Sequence, residues 1–254
     1  MHKTPSPAEF VYLDRMWWTD GAQMLKLTLQ ELCLMQVLAV SRRLTVEHVR
    51  DKRAFPRFYF TRGPKFAQLD KTSESYSFFY DLFKDREEYK FADLKNAIRS
   101  ALFNNTDNFS KYYTKADLER EGIITFRYFR TREGHKQHRQ ITALLDETDK
   151  HIDYLLNKDK DELLHNLDAL GTCVLLLDEE TIGKLKTVSK DVAAIRNLEF
   201  LTILDSNYTS FDNYFYMSGF GFGSSGGDYG GDSGGDFGGF GGGDGGGGGG
   251  GGDW

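Results

Sequence analysis

SESYSFFYDLFKDREEYKFADLKNAIRSALFNNTDNFSKYYTKADLEREGIITFRYFRTREG, residues 73–134, switches repeatedly between helical and extended hydrophobic spacing. Residues 73–83 place Tyr76, Phe79, Tyr80 and Phe83 on one face of a helix. Asp85, Arg86 and Glu87 form a polar break, and residues 88–91 read as a short extended piece. Residues 93–102 return to a helical stripe of Leu94, Ala97, Ile98 and Ala101. Asn104 to Asp107 is a loop with capping chemistry. A third helix follows over 109–121, with Tyr112, Tyr113, Ala116 and Leu118 as candidate core positions. Gly122 stands where a helix needs a residue at positive φ to end. Residues 123–129 then alternate: Ile124, Phe126 and Tyr128 share one face, and Ile123, Thr125, Arg127 and Phe129 the other, as in a strand. Residues 131–134 read as a turn.

Helix, short strand, helix, helix, strand, turn is the order of a winged helix-turn-helix module, here expected over residues 73–140. Upstream, residues 1–72 read as a helical segment with a basic strand and turn. Thr28 and Glu31 suggest a capping box, and Leu32, Met35, Leu38 and Ala39 an apolar stripe continuing the helix. Thr45, Val46 and Val49 suggest a further amphipathic turn that Pro56 stops, and Arg57 to Pro64 a strand running into a turn. An aromatic cluster of Phe10, Tyr12, Trp17 and Trp18 near the start is expected to dock on the body. Downstream, residues 141–204 read as a helical segment with stripes of Ile141, Leu144, Leu145, Ile152 and Leu155, and of Leu163, Leu164, Leu167, Leu170 and Val174. Residues 205–254 form an aromatic, Gly- and Asp-rich tail: 22 of the 28 glycines lie at or beyond Gly219. Without helical or strand periodicity, such a tail cannot offset the entropy of ordering its glycines and is expected to be disordered. The expected fold is mainly α with small β elements, winged-helix-like in its middle, helical in its C-terminal part and disordered in its tail.

Composition narrows the function classes. Two cysteines, Cys33 and Cys173, sit in apolar runs and read as buried reduced thiols, which argues against a disulfide-stapled secreted domain and for a cytoplasmic location. No secretory leader is visible, and the best apolar run, Leu32 to Val40, is too short to span a bilayer. The formal net charge is −6, but its sign is sorted. Residues 42–66 and 107–140 are basic zones, and residues 144–180 carry 11 acidic against three basic side chains. Basic zones on such a chain either meet a polyanion or pair internally with the acidic stretch.

The motifs favour binding over catalysis. His135-x-x-His138 has zinc-ligand spacing but lacks nearby Cys partners and sits among cations, so it reads as a solvated turn. The acidic run of Asp146, Glu147, Asp149 and Asp153 reads as a solvated helix face. No phosphate-cradling loop, nucleophile elbow or metalloprotease motif occurs. No catalytic residue, metal or cofactor is expected. The best candidate surface is basic: Lys111 and Lys115 on the third helix, where a recognition helix would lie, and Arg127, Arg130, Arg132 and Lys136 on the strand and turn that would form a wing.

The tail from Gly219 to Trp254 resembles the Gly-rich C-termini of several bacterial predicted-membrane-protein families of unknown function. Tyr76 to Gly122, with Phe91-Ala92-Asp93-Leu94-Lys95 and Leu118 to Gly122, is similar to their helical cytosolic portion. The chain departs from those families in lacking a signal peptide and membrane spans. The resemblance therefore implies a bacterial, non-enzymatic protein, with no membrane topology and no site residue carried over. The expected function is an interaction or scaffold protein whose body binds a protein partner and whose tail acts as a tether. The alternatives are a DNA-binding winged-helix regulator contacting nucleic acid through the basic residues named above, and an enzyme whose site the sequence does not display.

Overall fold

The computed structural model describes residues 4–15, 20–46, 55–125 and 129–188. They belong to one compact unit. The expectations for Trp17, Trp18, Arg127 and the tail fall outside the described residues. The architecture is mainly helical, with one small antiparallel sheet.

Two short helices form the centre. Helix α1 (Pro7–Arg15) starts at a proline, whose missing N–H is no loss in the first turn. Its capping box is reciprocal: the Ser6 N–H donates to Glu9 Oε2 at 2.6 Å, and the Glu9 N–H donates to Ser6 Oγ at 3.2 Å. Helix α2 (Gly21–Leu34) is capped by Asp20, which accepts the Ala22 N–H at 2.8 Å. Thr28, read as a helix start, lies inside α2 and returns its hydroxyl proton to the Met24 carbonyl at 2.9 Å. Every α2 residue except Gln23 is buried, the polar Lys26, Thr28, Gln30 and Glu31 included. Gly21 is required where it stands: a Cβ there would meet the Thr106 carbonyl oxygen at 2.1 Å.

The apolar run expected to prolong this helix turns into a strand. Gln36 takes the left-handed conformation (φ 62°), and the Val37 N–H donates back to the Leu32 carbonyl at 2.9 Å, closing the helix end. Strand β1 (Leu38–Thr45) then pairs antiparallel with β2 (Phe55–Arg62), from Leu38 opposite Arg62 to Thr45 opposite Phe55. Strand β3 (Glu88–Lys90) pairs with β2 only at Tyr59, Phe60 and Thr61. Among the described residues, the first half of β2, including Pro56, therefore pairs with β1 alone. Arg43 of β1 ties the three strands together. Its guanidinium lies 4.6 Å from the centre of the Tyr59 ring and donates to Glu88 Oε1 at 3.0 Å.

The middle segment follows the expected chain order. Helix α3 (Glu74–Phe83) leads through β3 into α4 (Phe91–Ala101), then α5 (Asp107–Phe109), a π-helical turn (Ser110–Thr114) and α6 (Lys115–Arg120). Gly122 has φ 70° and ends α6 as its position demands. Two features differ from a self-contained module. The partner of β3 is β2, from upstream, and beyond Gly122 the strand reduces, among the described residues, to a bridge between Ile124 and Arg130.

Residues 131–134 are a helix start, not a turn. Thr131 Oγ1 accepts the Gly134 N–H at 3.1 Å and caps α7 (Arg132–Lys158), which runs through residue 140, where a segment boundary was expected. Helix α7 packs against α8 (Lys160–Leu170) and α9 (Glu179–Val188), joined by a 3-10 stretch from Gly171 to Leu176. No described helix is long and apolar enough to cross a membrane.

Candidate docking cleft

Glu74, Ser77, Phe78, Asp81 and Leu82 repeat at helical spacing, so α3 presents one face with two carboxylates, Ser77 and Phe78 between them and Leu82 beyond Asp81. Ala101 of α4 and Tyr113 of the π-helical turn face it. Together these seven residues line a cleft of about 280 Å³, the volume of a side chain or small ligand fragment.

An aromatic cluster holds the cleft wall rigid. Phe78 meets Tyr113 with ring centres 5.0 Å apart at 62°, and meets Phe109 at 5.4 Å and 70°. Both are edge-to-face arrangements, which aromatic rings favour over a direct sandwich. The π-helical turn makes this possible: Phe109 and Thr114, five residues apart, are both buried, and Asp117 and Leu118 follow inward. Such turns recur at functional sites.

The field in the cleft is negative. Burial first, then the charges of Glu74 and Asp81, push the Tyr113 hydroxyl above its ordinary pKa. Asp81 already holds Lys84 at 3.0 Å, an exposed pair three residues apart. Glu74 has no ion pair among the described residues. Surface pairs of this kind contribute no more than about 1 kcal/mol, so an incoming cation can replace Lys84. Near the lining residues in sequence, Phe103, two residues beyond Ala101, is 86% exposed, and Tyr112, expected in the core, is 67% exposed. Phe103 and Asn104 both hold left-handed backbone (φ 54° and 59°), uncommon for an aromatic residue.

Other carboxylates are sealed in. Asp117, fully buried, accepts the Glu74 N–H at 2.7 Å and the Ser75 N–H and Ser73 hydroxyl at 2.9 Å each, and Arg120 approaches it at 3.0 Å. It thereby holds the first turn of α3, and the cleft with it. Glu31 of α2 accepts the Thr172 hydroxyl at 2.7 Å. Burial raises the Glu9 pKa to about 8, helped by the charges of Glu121, Glu31 and Asp117. Burial, together with Glu31, Glu9 and Asp117, raises Tyr76 as well. Cys33 and Cys173 are buried free thiols, both pushed up by desolvation, which leaves them unreactive. Among the described residues no group of His, Cys, Asp and Glu has the arrangement of a metal site.

The basic candidates do not converge on one surface. Lys111 is exposed on the π-helical turn, while Lys115, half-buried, pairs with Glu119 at 3.4 Å. Arg130 turns inward and donates from Nε to the Leu13 carbonyl at 2.9 Å, closing the C-terminal end of α1. Arg132 and Lys136 lie on α7 rather than on a wing, exposed, with Arg139 on the same face. Of the two histidines, His135 is exposed and His138 stacks on Phe10 at 5.1 Å and meets Asp14 at 3.0 Å. They sit on a helix, not in a solvated turn.

Sequence reasoning passed over Glu74 and Asp81, although their seven-residue separation signals one helix face. It had no means of placing Ala101 and Tyr113 opposite them. Glu9 carried a visible signal in Ser6-Pro7-Ala8-Glu9. Glu31 stood out as the acid in an apolar helix. No protein family, curated protein or solved structure matches this chain.

Proposed function

We propose that the chain is an interaction protein whose body docks a positively charged segment of a partner protein in the α3 cleft. One observation carries the reading: two carboxylates, Glu74 and Asp81, line a cleft together with Phe78, Leu82, Ala101, Tyr113 and the hydroxyl-bearing Ser77. A cationic side chain brings both an aliphatic stem for the walls and a charge for the carboxylates. Exposed Phe103 and Tyr112 add aromatic anchors of the kind that dominate binding energy at interfaces. The Gly-rich tail, residues 219–254, would serve as a tether.

The test is a titration of the full chain into a short fluorescein-labelled Lys/Ala peptide at low ionic strength. Binding should weaken as salt rises and should fall several-fold in Asp81→Asn, the loss of up to about 1 kcal/mol of charge contact. Equal binding of an uncharged Gln/Ala peptide would reject the reading.

A second reading rests on Arg132, Lys136 and Arg139, three exposed cations on one face of α7. They would meet the phosphates of a nucleic acid. Duplex affinity should then decline steeply with salt and drop in Lys136→Gln. It is the weaker reading because Arg130 and Lys115 have internal partners.

A further inference from the structure

The spacing of the two carboxylates specifies the partner more narrowly; this step rests on the reading of the cleft as a cation dock. Glu74 and Asp81 are seven residues apart on α3, roughly 10 Å along the axis at 1.5 Å per residue. One ammonium or guanidinium cannot satisfy both. Between them the lining on α3 is Ser77 and Phe78, with Ala101 and Tyr113 contributed by other elements, so the middle of the cleft suits a short uncharged stretch of chain.

We infer that a partner segment in polyproline-II conformation lies across the open cleft with Lys or Arg at positions i and i+3, one side chain reaching Glu74 and the other Asp81. A polyproline-II chain has three residues per turn and rises about 3.1 Å per residue, so i and i+3 lie on the same side roughly 9 Å apart. An extended strand would send those two side chains to opposite faces. The conformation is preformed, so little entropy is lost on docking, and aromatic-lined grooves are its usual receptors. Here Phe78 and Tyr113 line the cleft, and Phe103 and Tyr112 stand exposed at adjoining chain positions. Ala101 keeps the opposite wall low. Lys84 occupies Asp81 in the free protein and is displaced when the partner docks.

Isothermal titration calorimetry on the full chain, with synthetic peptides, tests this. The probes are a Pro/Ala-rich peptide with Lys at i and i+3, its isomer with adjacent lysines, a single-Lys version, and spermidine. The i, i+3 peptide should bind several-fold more tightly than the isomer or the single-Lys peptide. Glu74→Gln and Asp81→Asn, both at exposed positions that leave the fold intact, should each erase that advantage. Lys84→Ala should strengthen binding several-fold, and Ala101→Leu, which fills the cleft, should abolish it. Binding that ignores lysine spacing, or that loses its advantage in only one of the two carboxylate variants, would overturn the bidentate geometry while leaving the cation dock in place. Spermidine binding as tightly as the i, i+3 peptide would overturn the choice of a peptide. If no cationic peptide binds, the reading of the cleft itself falls.

Discussion

Carboxylates occur in this molecule in two opposite settings, and the contrast separates what holds the fold from what is free to bind. Under the cleft, Asp117 is fully buried and accepts hydrogen bonds from Ser73, Glu74 and Ser75, with Arg120 beside it. Glu9 and Glu31 are likewise sealed between the central helices. On the rim, Glu74 and Asp81 face a cleft open to solvent and keep their charges in water. A buried charge must be matched by internal donors or must take up a proton. An exposed one costs little to keep and remains able to change partners. The first set is committed to structure and the second is available for function, though one residue, Glu74, joins them. Its backbone N–H is held by Asp117, while its carboxylate lines the cleft.

The largest expected effect comes from breaking the buried side. Asp117→Ala strands the Ser73 hydroxyl and the Glu74 and Ser75 N–H donors of the first turn of α3, and should cost about 3–5 kcal/mol, measured by urea unfolding; Arg120 keeps Glu121 and the Thr72 carbonyl. Asp81→Asn, on the exposed side, should leave the urea midpoint almost unchanged.

The buried set also predicts a pH dependence. Glu9 holds its proton to about pH 8 in the fold, because burial and the charges of Glu121, Glu31 and Asp117 disfavour the anion. Unfolded, it ionises near its ordinary value of 4.5. The folded state therefore binds more protons between those values. Its contribution is complete below pH 4.5 and is lost as pH rises towards 8. Glu9→Gln keeps a neutral acceptor for the Ser6 N–H. It should flatten the decline of stability across that window by a few kcal/mol, seen in unfolding curves recorded from pH 5 to 9.

Arg130 tests the same division among cations. Arg130→Ala removes the donors that close α1 and should cost about 1.5–3 kcal/mol. Because that guanidinium is engaged with Leu13, the change should leave polyanion affinity unaltered, whereas Lys136→Gln should do the reverse. The smallest effect is expected at Phe103. Phe103→Asn relieves left-handed strain at an exposed position and should stabilise by up to about 1 kcal/mol, while weakening peptide capture.

How much of this was legible beforehand varies from residue to residue. Tyr76, Phe79 and Phe83, with half-buried Tyr80, the short strand at 88–90 and the glycine ending α6 followed from period and chirality alone; of the stripe read for α4, Leu94 and Ile98 are buried and Ala97 half-buried, whereas Ala101, in the last turn, is exposed. The run from Leu32 to Val40 was misread because a continuous apolar stretch has no period by which to tell helix from strand. Only Gln36 in left-handed backbone, packed against Gly63, marks the switch; a Cβ on Gly63 would meet the Gln36 carbonyl oxygen at 2.2 Å. Thr131 was read as turn chemistry because the same hydroxyl serves turns and helix caps. Phe78 lay off the predicted stripe and is buried all the same, since the π-helical turn brings Phe109 and Tyr113 over it. The cleft inherits that difficulty: the spacing of Glu74 and Asp81 is local information, while the wall that makes them a site comes from residues 101 and 113.

The most direct test is a map of where a cationic peptide lands. With amide resonances of the full chain assigned, titration with the i, i+3 dilysine peptide should shift residues 74–82, 101–103 and 112–113 and leave α7 unmoved. Shifts concentrated on residues 132–143, or spread without preference over the acidic face of α7 and α8, would contradict the account.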